Sequence, residues 1–253
     1  MTVILWHIEV SHYNEKVRWA LDYKAIPHER RVPLPGAHGF KTLILTRGRQ
    51  RKLPVIEIDG RRVGDSTAII AALERYKPEP PLYPDDPTER ARALELEDFF
   101  DEQLAPEIRR LIWHDTIDDP DAVIAAVAPN ASASRKRLLR ALGPVARRTV
   151  RWDYHVNERS AATARDRIFA AMDRLEAEIQ PSGYLVGDHF SVADITAAAL
   201  FTPLIGPPER QYQPATLAPP LLQVREELTS RPGGQWVFEM FARHRGTSAA
   251  VAA

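Results

Sequence analysis

Along the first 77 residues, the spacing of hydrophobic side chains switches repeatedly between that of a strand and that of a helix. Residues 3–7 form a short apolar run that suits a buried strand. Residues 13–24 carry apolar side chains at helical spacing, with the charged residues from Glu15 to Asp22 on the opposite side. Further elements are predicted at 28–32 (strand), 39–46 (helix), 53–58 and 61–63 (strands joined by Asp59-Gly60) and 66–76 (helix). This order predicts an α/β domain, a mixed four-stranded sheet with helices packed on it.

Prolines separate this part from the remainder of the chain. Five of the ten residues at 78–87 are proline, which blocks a regular helix and favours a stiff connection. Residues 88–245 show helical spacing almost throughout, so we predict an all-α bundle there. We therefore divide the chain into an α/β domain at 1–77, a linker at 78–87 and a helical domain at 88–245. We expect residues 246–253 to form a disordered tail.

Composition narrows the possible functions. The 253 residues include 34 Lys+Arg, 34 Asp+Glu and no cysteine. Without a thiol the chain has no disulfide, no cysteine-ligated metal and no cysteine nucleophile. The balanced charge argues against a sequence-independent grip on nucleic-acid phosphates. No run approaches the roughly 20 apolar residues of a membrane helix, and the first residues lack a signal peptide's basic segment. We therefore predict a soluble cytoplasmic protein that binds neither nucleic acid nor membrane.

Three short segments have the chemistry to bind an anionic or peptide-like ligand. Ser11 lies between the first strand and the first helix, where unpaired N–H groups and the helix dipole favour an anion. Leu53-Pro54 opens the hairpin, where a cis proline would turn the Leu53 backbone toward a bound peptide. Asp65-Ser66 begins a helix, where the two could hold an ammonium and a carboxylate. Each has a structural alternative: helix N-caps for Ser11 and Asp65-Ser66, and a trans edge proline for Pro54.

In order and spacing, these segments resemble the thioredoxin-like N-terminal domain of glutathione transferases. The resemblance is carried by SHYNEKVRWAL at 11–21, KLPVIEIDG at 52–60 and DSTAI at 65–69. In the helical part, GDHFSVADI at 187–195 resembles the buried N-capping box of that family. Its chemistry is visible in the sequence, with Ser191 as the N-cap and Asp194 reaching back to it. The resemblance implies a thioredoxin-like domain followed by a helical domain, and a homodimer.

The resemblance also implies a glutathione site, with glutathione as co-substrate and no metal. Ser11 would hydrogen-bond the glutathione sulfur. Leu53, ahead of a cis Pro54, would pair with the cysteinyl backbone. Asp65 and Ser66 would hold the γ-glutamyl end.

Further residues are assigned around this site. Lys52 stands where some members of the family reach the glycyl carboxylate. His12 replaces the proline that often follows the sulfur-binding residue and adds a titratable group, and Tyr13 is expected to form a wall. Trp113 and Trp152 are candidates for an apolar wall of the second-substrate pocket, with core packing as the alternative.

The segment at 115–158 looks longer than the link that the family usually has between bundle helices, and its fold is not assigned. Its acidic residues near His114 predict a solvated turn between helices rather than a metal site. The basic run from Arg135 to Arg151 predicts a solvated helix face. In this family, the alternative is a frame for a pocket that binds anionic substrates.

Our functional hypothesis is a glutathione transferase that serves detoxification. Ser11 and the helix N-terminus would stabilise the glutathione thiolate for attack on a small apolar electrophile, by conjugation or in peroxide reduction. A glutaredoxin-like enzyme with its own redox cysteine is excluded by the composition. The alternative is a non-catalytic binding or scaffold protein with the same fold.

Overall fold

The structure is a computed structural model that describes residues 3–33, 38–128, 131–213 and 217–251. One mixed sheet has the strand order β4-β3-β1-β2-β5. Its strands are β1 (Val3–Trp6), β2 (His28–Arg31), β3 (Val55–Ile58), β4 (Arg61–Gly64) and β5 (Ala250–Val251). Strand β2 runs parallel to β1, and β3 runs antiparallel to it. The predicted class, a mixed α/β domain followed by a helical region, is confirmed.

The predicted number of strands was wrong by one, because the end of the chain adds a strand. Strand β5 lies parallel to β2, with His28 opposite Ala250 and Glu29 opposite Val251. The backbone N–H of Ala249 also donates to Asp22 Oδ1 at 2.8 Å. The expectation of a disordered tail therefore fails for its described part, which hydrogen bonds hold against the sheet. Local sequence patterns miss this strand because its partners lie at the opposite end of the chain.

The helices of the first part are α1 (His12–Tyr23), α2 (His38–Leu45) and α3 (Ser66–Tyr76). Helix α1 is buried on all sides, contrary to the exposed polar side that its pattern predicts. Glu15, Lys16 and Arg18 are fully buried. The cause is that α1 packs against α3 and also against the helical region. Its charged side chains therefore need partners from distant parts of the chain.

The remaining helices form the helical region. They are α4 (Pro87–Phe99), α5 (Ala105–Thr116), α6 (Pro120–Val127), α7 (Ala133–Asp153), α8 (Glu158–Glu178), α9 (Val192–Ile205), α10 (Pro219–Thr229) and α11 (Pro232–His244). A π-helical turn at Phe100–Leu104 joins α4 to α5. Within the described ranges, no helix is long and apolar enough to cross a membrane.

Helix α9 is the centre of the helical region and the main contact of α1. Every one of its residues is buried, and its N-terminus carries the predicted capping box. Asp194 Oδ2 accepts hydrogen bonds from the backbone N–H and the hydroxyl of Ser191, at 2.8 and 2.9 Å. Asp194 Oδ1 accepts from the Leu185 N–H at 2.8 Å. The carboxylate thus satisfies buried donors from two segments of the chain.

The unassigned segment at 115–158 contains a helical hairpin of α6 and α7. Asp119 caps α6 by accepting from the N–H groups of Asp121 and Ala122. Arg147 and Arg151 of α7 both pair with Asp118, which precedes α6. The acidic residues of this turn are therefore occupied by helix capping and by ion pairs. Helix α7 has no buried residue along its 21 residues.

We expect Asp194→Ala to lower the free energy of unfolding by about 2–4 kcal/mol, since it leaves buried N–H groups without an acceptor. Asp119→Ala removes an exposed N-cap and serves as the matched control, with an expected loss of about 1 kcal/mol. Urea denaturation followed by circular dichroism measures both. Equal losses in the two variants would contradict the role given to Asp194.

Candidate functional site

Ser11 occupies the N-cap position directly before α1, but its side chain does not cap the helix. Its carbonyl accepts the first helical hydrogen bond, from Glu15 N–H at 2.9 Å, whereas its hydroxyl caps no backbone N–H. Instead, Ser11 Oγ accepts from Asn14 Nδ2 at 2.7 Å. The Asn14 amide is oriented by Ile8, whose N–H donates to Asn14 Oδ1 at 3.2 Å. The hydroxyl hydrogen of Ser11 thus remains available to a ligand.

Two buried arginines hold the carbonyl groups of the loop that leads to Ser11. Arg18 donates to the carbonyl oxygens of Ile8 and Glu9, at 3.3 and 2.9 Å. Arg210, from the segment between α9 and α10, donates to the Val10 carbonyl at 2.7 Å. The backbone N–H groups at the start of α1 can then face a ligand, because the carbonyl groups before them are occupied.

Glu15 joins this loop to the end of the chain. One of its oxygens, Oε2, accepts from Arg18 Nε and Nη2 at 3.0 and 2.6 Å. The other, Oε1, accepts from Arg245 Nε at 2.8 Å, and Arg245 also pairs with Asp22 at 2.8 Å. Burial alone would raise the pKa of Glu15, but the charges of Arg18, Arg245 and Arg210 outweigh it and lower the pKa to about 2. Glu15 is therefore ionised at neutral pH.

His12 and Tyr13 follow Ser11 and are both constrained. The His12 side chain is buried, and its Nε2 has no hydrogen-bond partner among the described residues. Burial and the charges of Arg109 and Arg210 lower the pKa of His12 to about 3, so its ring is neutral at pH 7. The Tyr13 hydroxyl donates to the Asp101 carbonyl at 2.8 Å. Burial also raises the pKa of Tyr13, so that its hydroxyl stays protonated.

The Leu53–Pro54 peptide bond is cis. Leu53 lies two residues before the start of β3, and no hydrogen bond to its backbone is formed within the described part of the chain. Its N–H and carbonyl groups are therefore free to pair with an extended peptide, as at the edge of a sheet. The Pro54 carbonyl lies 3.4 Å from Gln50 Nε2.

Asp65 and Ser66 begin α3 as the sequence predicts. Asp65 has a positive φ of 73° and accepts from the Ala68 N–H through Oδ1 at 3.1 Å. A non-glycine residue with positive φ carries strain, which proteins often keep at ligand sites. Ser66 is the first residue of the helix and is buried. The other Asp65 carboxylate oxygen and the helix N-terminus offer an acceptor and donors side by side.

A second buried ion group connects α3 to α1. Lys16 Nζ lies 2.6 Å from Asp101 Oδ2 and 2.8 Å from Glu97 Oε1. The Thr67 hydroxyl donates to the same Asp101 oxygen at 2.7 Å. The start of α3 is therefore fixed to the π-helical turn and to α1, which sets the position of Asp65-Ser66 relative to Ser11.

Two cations meet at the aromatic ring of Tyr154. Arg109 Cζ lies 4.4 Å from the ring centre and Lys52 Nζ lies 5.6 Å from it. Arg109 forms no ion pair with the described residues, and its buried Nε has no partner there. Partial burial and the neighbouring charge of Arg109 lower the pKa of Lys52. The two cations thus lie side by side, with Arg109 close enough to His12 to influence its charge.

The structure separates the two tryptophans that the sequence proposes as pocket walls. Trp152 lies on α7 with 76% of its surface exposed, so the expectation that it lines a pocket is wrong. The reason is that α7 projects from the helical region with no buried face. Trp113 lies on α5, one turn after Arg109, and is partly buried. It stays a candidate wall.

Sequence reasoning missed the residues that position the site. Asn14 and Arg18 stand inside the motif at 11–21 but read as the polar side of an exposed helix. Arg109 and Arg210 lie in the helical region and carry no local motif. The available signal for the burial of the α1 residues was that the charged residues of α1 stand beside strongly apolar ones in the sequence. Among the described residues, no group of three or more potential metal ligands is present.

A thioredoxin-like sheet, a helical region and a helix start with a free serine hydroxyl define the fold of a glutathione transferase. Two family models agree: the glutathione S-transferase N-terminal domain matches residues 5–81, and the C-terminal domain matches residues 121–223. Together the two models cover more than half of the chain. The chain belongs to the glutathione S-transferase family.

Individual relatives match parts of the chain. It is 34% identical to maleylacetoacetate isomerase from Rattus norvegicus over 107 residues, 41% of this chain and 49% of that protein. It is 24% identical to FtsZ-localized protein A from Caulobacter vibrioides over 205 residues, 77% of this chain and 74% of that protein. The chain thus spans about half the length of the maleylacetoacetate isomerases that it matches.

A solved structure shows the same fold. The glutathione S-transferase from Methylobacterium radiotolerans, in complex with glutathione sulfonate, superimposes with a TM-score of 0.55. The sequence identity is 21%, and the match covers 100% of this chain and 99% of that one.

The network around Glu15 predicts a specific loss of stability in acid. Below its ordinary pKa of 4.5, an unfolded chain binds a proton that the folded chain, with a Glu15 pKa of about 2, does not bind. The stability that Glu15 contributes is therefore complete above pH 4.5 and is lost as the pH falls toward 2. We expect Arg245→Gln to raise the pH of acid unfolding and to lower the free energy of unfolding at neutral pH by about 3–5 kcal/mol.

Arg243→Gln is the matched control, since Arg243 is an exposed neighbour that pairs with Glu239. We expect it to change stability by less than about 0.5 kcal/mol. Acid titration monitored by tryptophan fluorescence compares the variants. If Arg245→Gln unfolds at the same pH as Arg243→Gln, the Glu15 network does not carry this stability.

Proposed function

We propose that this chain is a glutathione transferase in which the Ser11 hydroxyl stabilises the thiolate of glutathione. The observation that carries the proposal is the arrangement of Ser11, whose oxygen is occupied by Asn14 while its hydrogen is free. A free thiol has a pKa of about 8.5, so only a few per cent is ionised at neutral pH. Donation from Ser11 and the N-terminus of α1 would lower that pKa.

Glutathione would lie across the three predicted segments. Its cysteinyl backbone would pair with the free N–H and carbonyl groups of Leu53 beside Pro54, and its γ-glutamyl end would meet Asp65 and Ser66. Its glycyl carboxylate would bind Lys52 and Arg109 at the Tyr154 ring. Arg109 extends the site predicted from sequence, because a buried guanidinium nitrogen without a partner calls for an acceptor.

The reaction would be attack of the thiolate on a small apolar electrophile. In a conjugation, the sulfur lone pair forms the new bond to carbon, and the leaving group departs with its electron pair. In peroxide reduction, the thiolate would attack one peroxide oxygen, and the other oxygen would leave as an alkoxide or hydroxide that takes a proton from water. A second glutathione would then attack the sulfur of the resulting sulfenic acid, giving glutathione disulfide and water. His12 would line the site as a neutral ring and take no part in proton transfer at neutral pH.

The biological setting is proposed from the family. We propose a cytoplasmic homodimer that acts in detoxification. The maleylacetoacetate isomerase relatives support a glutathione-dependent reaction.

We expect Ser11→Ala to lower kcat/KM for glutathione conjugation by about tenfold to a hundredfold, because the thiolate loses its hydroxyl donor. Ser11→Thr keeps a hydroxyl and should retain most of the activity. Ser134→Ala, an exposed serine of α7, is the matched control. Steady-state kinetics with a chromogenic electrophile measure all three. A loss of no more than about twofold in Ser11→Ala would remove Ser11 from this role.

Glutathione binding is predicted separately from catalysis. We expect Asp65→Ala and Arg109→Met each to raise the Kd of glutathione by about tenfold, since each removes a partner of a charged end of the tripeptide. Ser11→Ala should bind glutathione nearly as well as the wild type. Isothermal titration calorimetry measures the three variants, and unchanged affinity in both Asp65→Ala and Arg109→Met would refute this placement of glutathione.

The competing function is a non-catalytic binding or scaffold protein with the same fold. Its support is FtsZ-localized protein A, the relative that matches 77% of the chain, whose name describes a location rather than a reaction. The two functions separate in one experiment with immobilised glutathione followed by an activity assay. Retention with turnover supports the enzyme, whereas no retention and no turnover support the scaffold.

A further inference from the structure

Helix α7 carries an apolar stripe on a fully exposed face. Leu138, Leu142, Val145 and Trp152 are 58%, 53%, 69% and 76% exposed, and the exposed Thr149 completes the series. Successive members are separated by four, three, four and three positions, so they share one side of the helix. We call these five residues the α7 stripe.

The ion pairs of α7 show which way the stripe points. Arg140 pairs with Asp121, and Arg147 and Arg151 pair with Asp118, so this side of α7 faces α6. At about 100° per residue, these arginines lie about 140° or more around the helix from the centre of the stripe. The α7 stripe is therefore directed away from α6 and from the rest of the hairpin.

The α7 stripe does not stabilise its own helix through packing within this chain. In globular proteins, most helical stability comes from packing of the apolar face, and here that face packs on nothing in the described part of the chain. Apolar residues scattered singly on a surface need no explanation, but a continuous stripe of them marks an interaction site. The stripe is about 21 Å long, from Leu138 to Trp152.

Positive charge borders the stripe. Arg135, Arg137 and Arg148 lie at its edges by helical position, and none of them forms an ion pair with the described residues. Asp153, the one acidic residue of α7, lies at the same border, so the arginines outnumber it. The occupant of the stripe must therefore be apolar where it meets the leucines and anionic at its border. A second copy of α7 would bring further arginines to the same border, which makes it a poor occupant.

We propose that the α7 stripe docks on the surface of an anionic phospholipid membrane. Leucine, valine and tryptophan would enter the boundary between headgroups and acyl chains, and the three bordering arginines would meet lipid phosphates. The stripe is long and convex, so a broad lipid surface can contact all of it, whereas one protruding side chain of a partner protein cannot. The sequence prediction of no membrane partner considered only spanning segments, and a helix that lies on the surface requires none.

The test uses the whole 253-residue chain with vesicles of phosphatidylcholine, alone or mixed with phosphatidylglycerol. We expect flotation with the mixed vesicles, little flotation with phosphatidylcholine alone, and release at high salt. Leu142→Ser with Trp152→Ser should lower the partition coefficient by about tenfold or more, because it removes apolar area from the lipid. Leu222→Ser is the matched apolar control, since Leu222 is an exposed leucine of α10.

A second pair of variants tests the charge. Arg137→Gln with Arg148→Gln should lower binding to the mixed vesicles by about 25-fold, that is, by about fivefold for each cation removed. Arg61→Gln with Arg75→Gln removes the same charge from exposed arginines outside α7. All variants should keep the thermal unfolding of the wild type, because the substituted side chains are exposed.

Two results would overturn the proposal. One is failure of the wild type to bind the mixed vesicles, and the other is equal binding by the stripe variant and by Leu222→Ser. In the first case, a change of oligomeric state in the stripe variant would assign the stripe to a second copy of the chain. The outcome of this test does not depend on whether the chain binds glutathione.

Discussion

The architecture of the site depends on one buried carboxylate, that of Glu15, shared between two arginines. Arg18 donates to Glu15 through Nε and Nη2, and its Nη1 and Nη2 also donate to the carbonyl groups of the loop before Ser11. Arg245 brings the end of the chain to the same carboxylate. A buried ion pair gives little net stability, but removing one partner leaves a buried charge unpaired and destabilises the fold. Loss of any one of Glu15, Arg18 and Arg245 is therefore expected to destabilise the fold. The loop geometry and the tail thus depend on a single helix position.

Three neighbouring residues of α1 each hold a different part of the site in position. Asn14 orients the Ser11 hydroxyl, Glu15 fixes the loop and the tail, and Lys16 ties the start of α3 to the π-helical turn. Because these contacts come from different elements, the site is assembled from the sheet domain and the helical region together. Such support fixes the Ser11 hydroxyl and the N-terminus of α1 in one geometry, as the proposed stabilisation of a thiolate would require.

The sequence predicts elements and motifs well where the information is local. The Asp59-Gly60 hairpin, the start of α3 at Ser66 and the capping box at Ser191 all depend on residues a few positions apart. It fails where the partner is distant: the polar residues of α1 look solvent-exposed until α9 covers them, and β5 pairs with β2 across the whole chain. Trp152 shows the converse failure, since an aromatic residue in a helical pattern gives no sign that its helix has no buried face.

The central claim is that the Ser11 hydroxyl, as positioned by Asn14, lowers the thiol pKa of bound glutathione. The most direct measurement is a pH titration of thiolate ultraviolet absorbance for glutathione bound to the wild type and to Asn14→Ala. The account predicts a thiol pKa in the wild-type complex at least about one unit below the free value near 8.5, and a return toward that value in Asn14→Ala. A bound thiol that titrates as it does in solution would contradict the account.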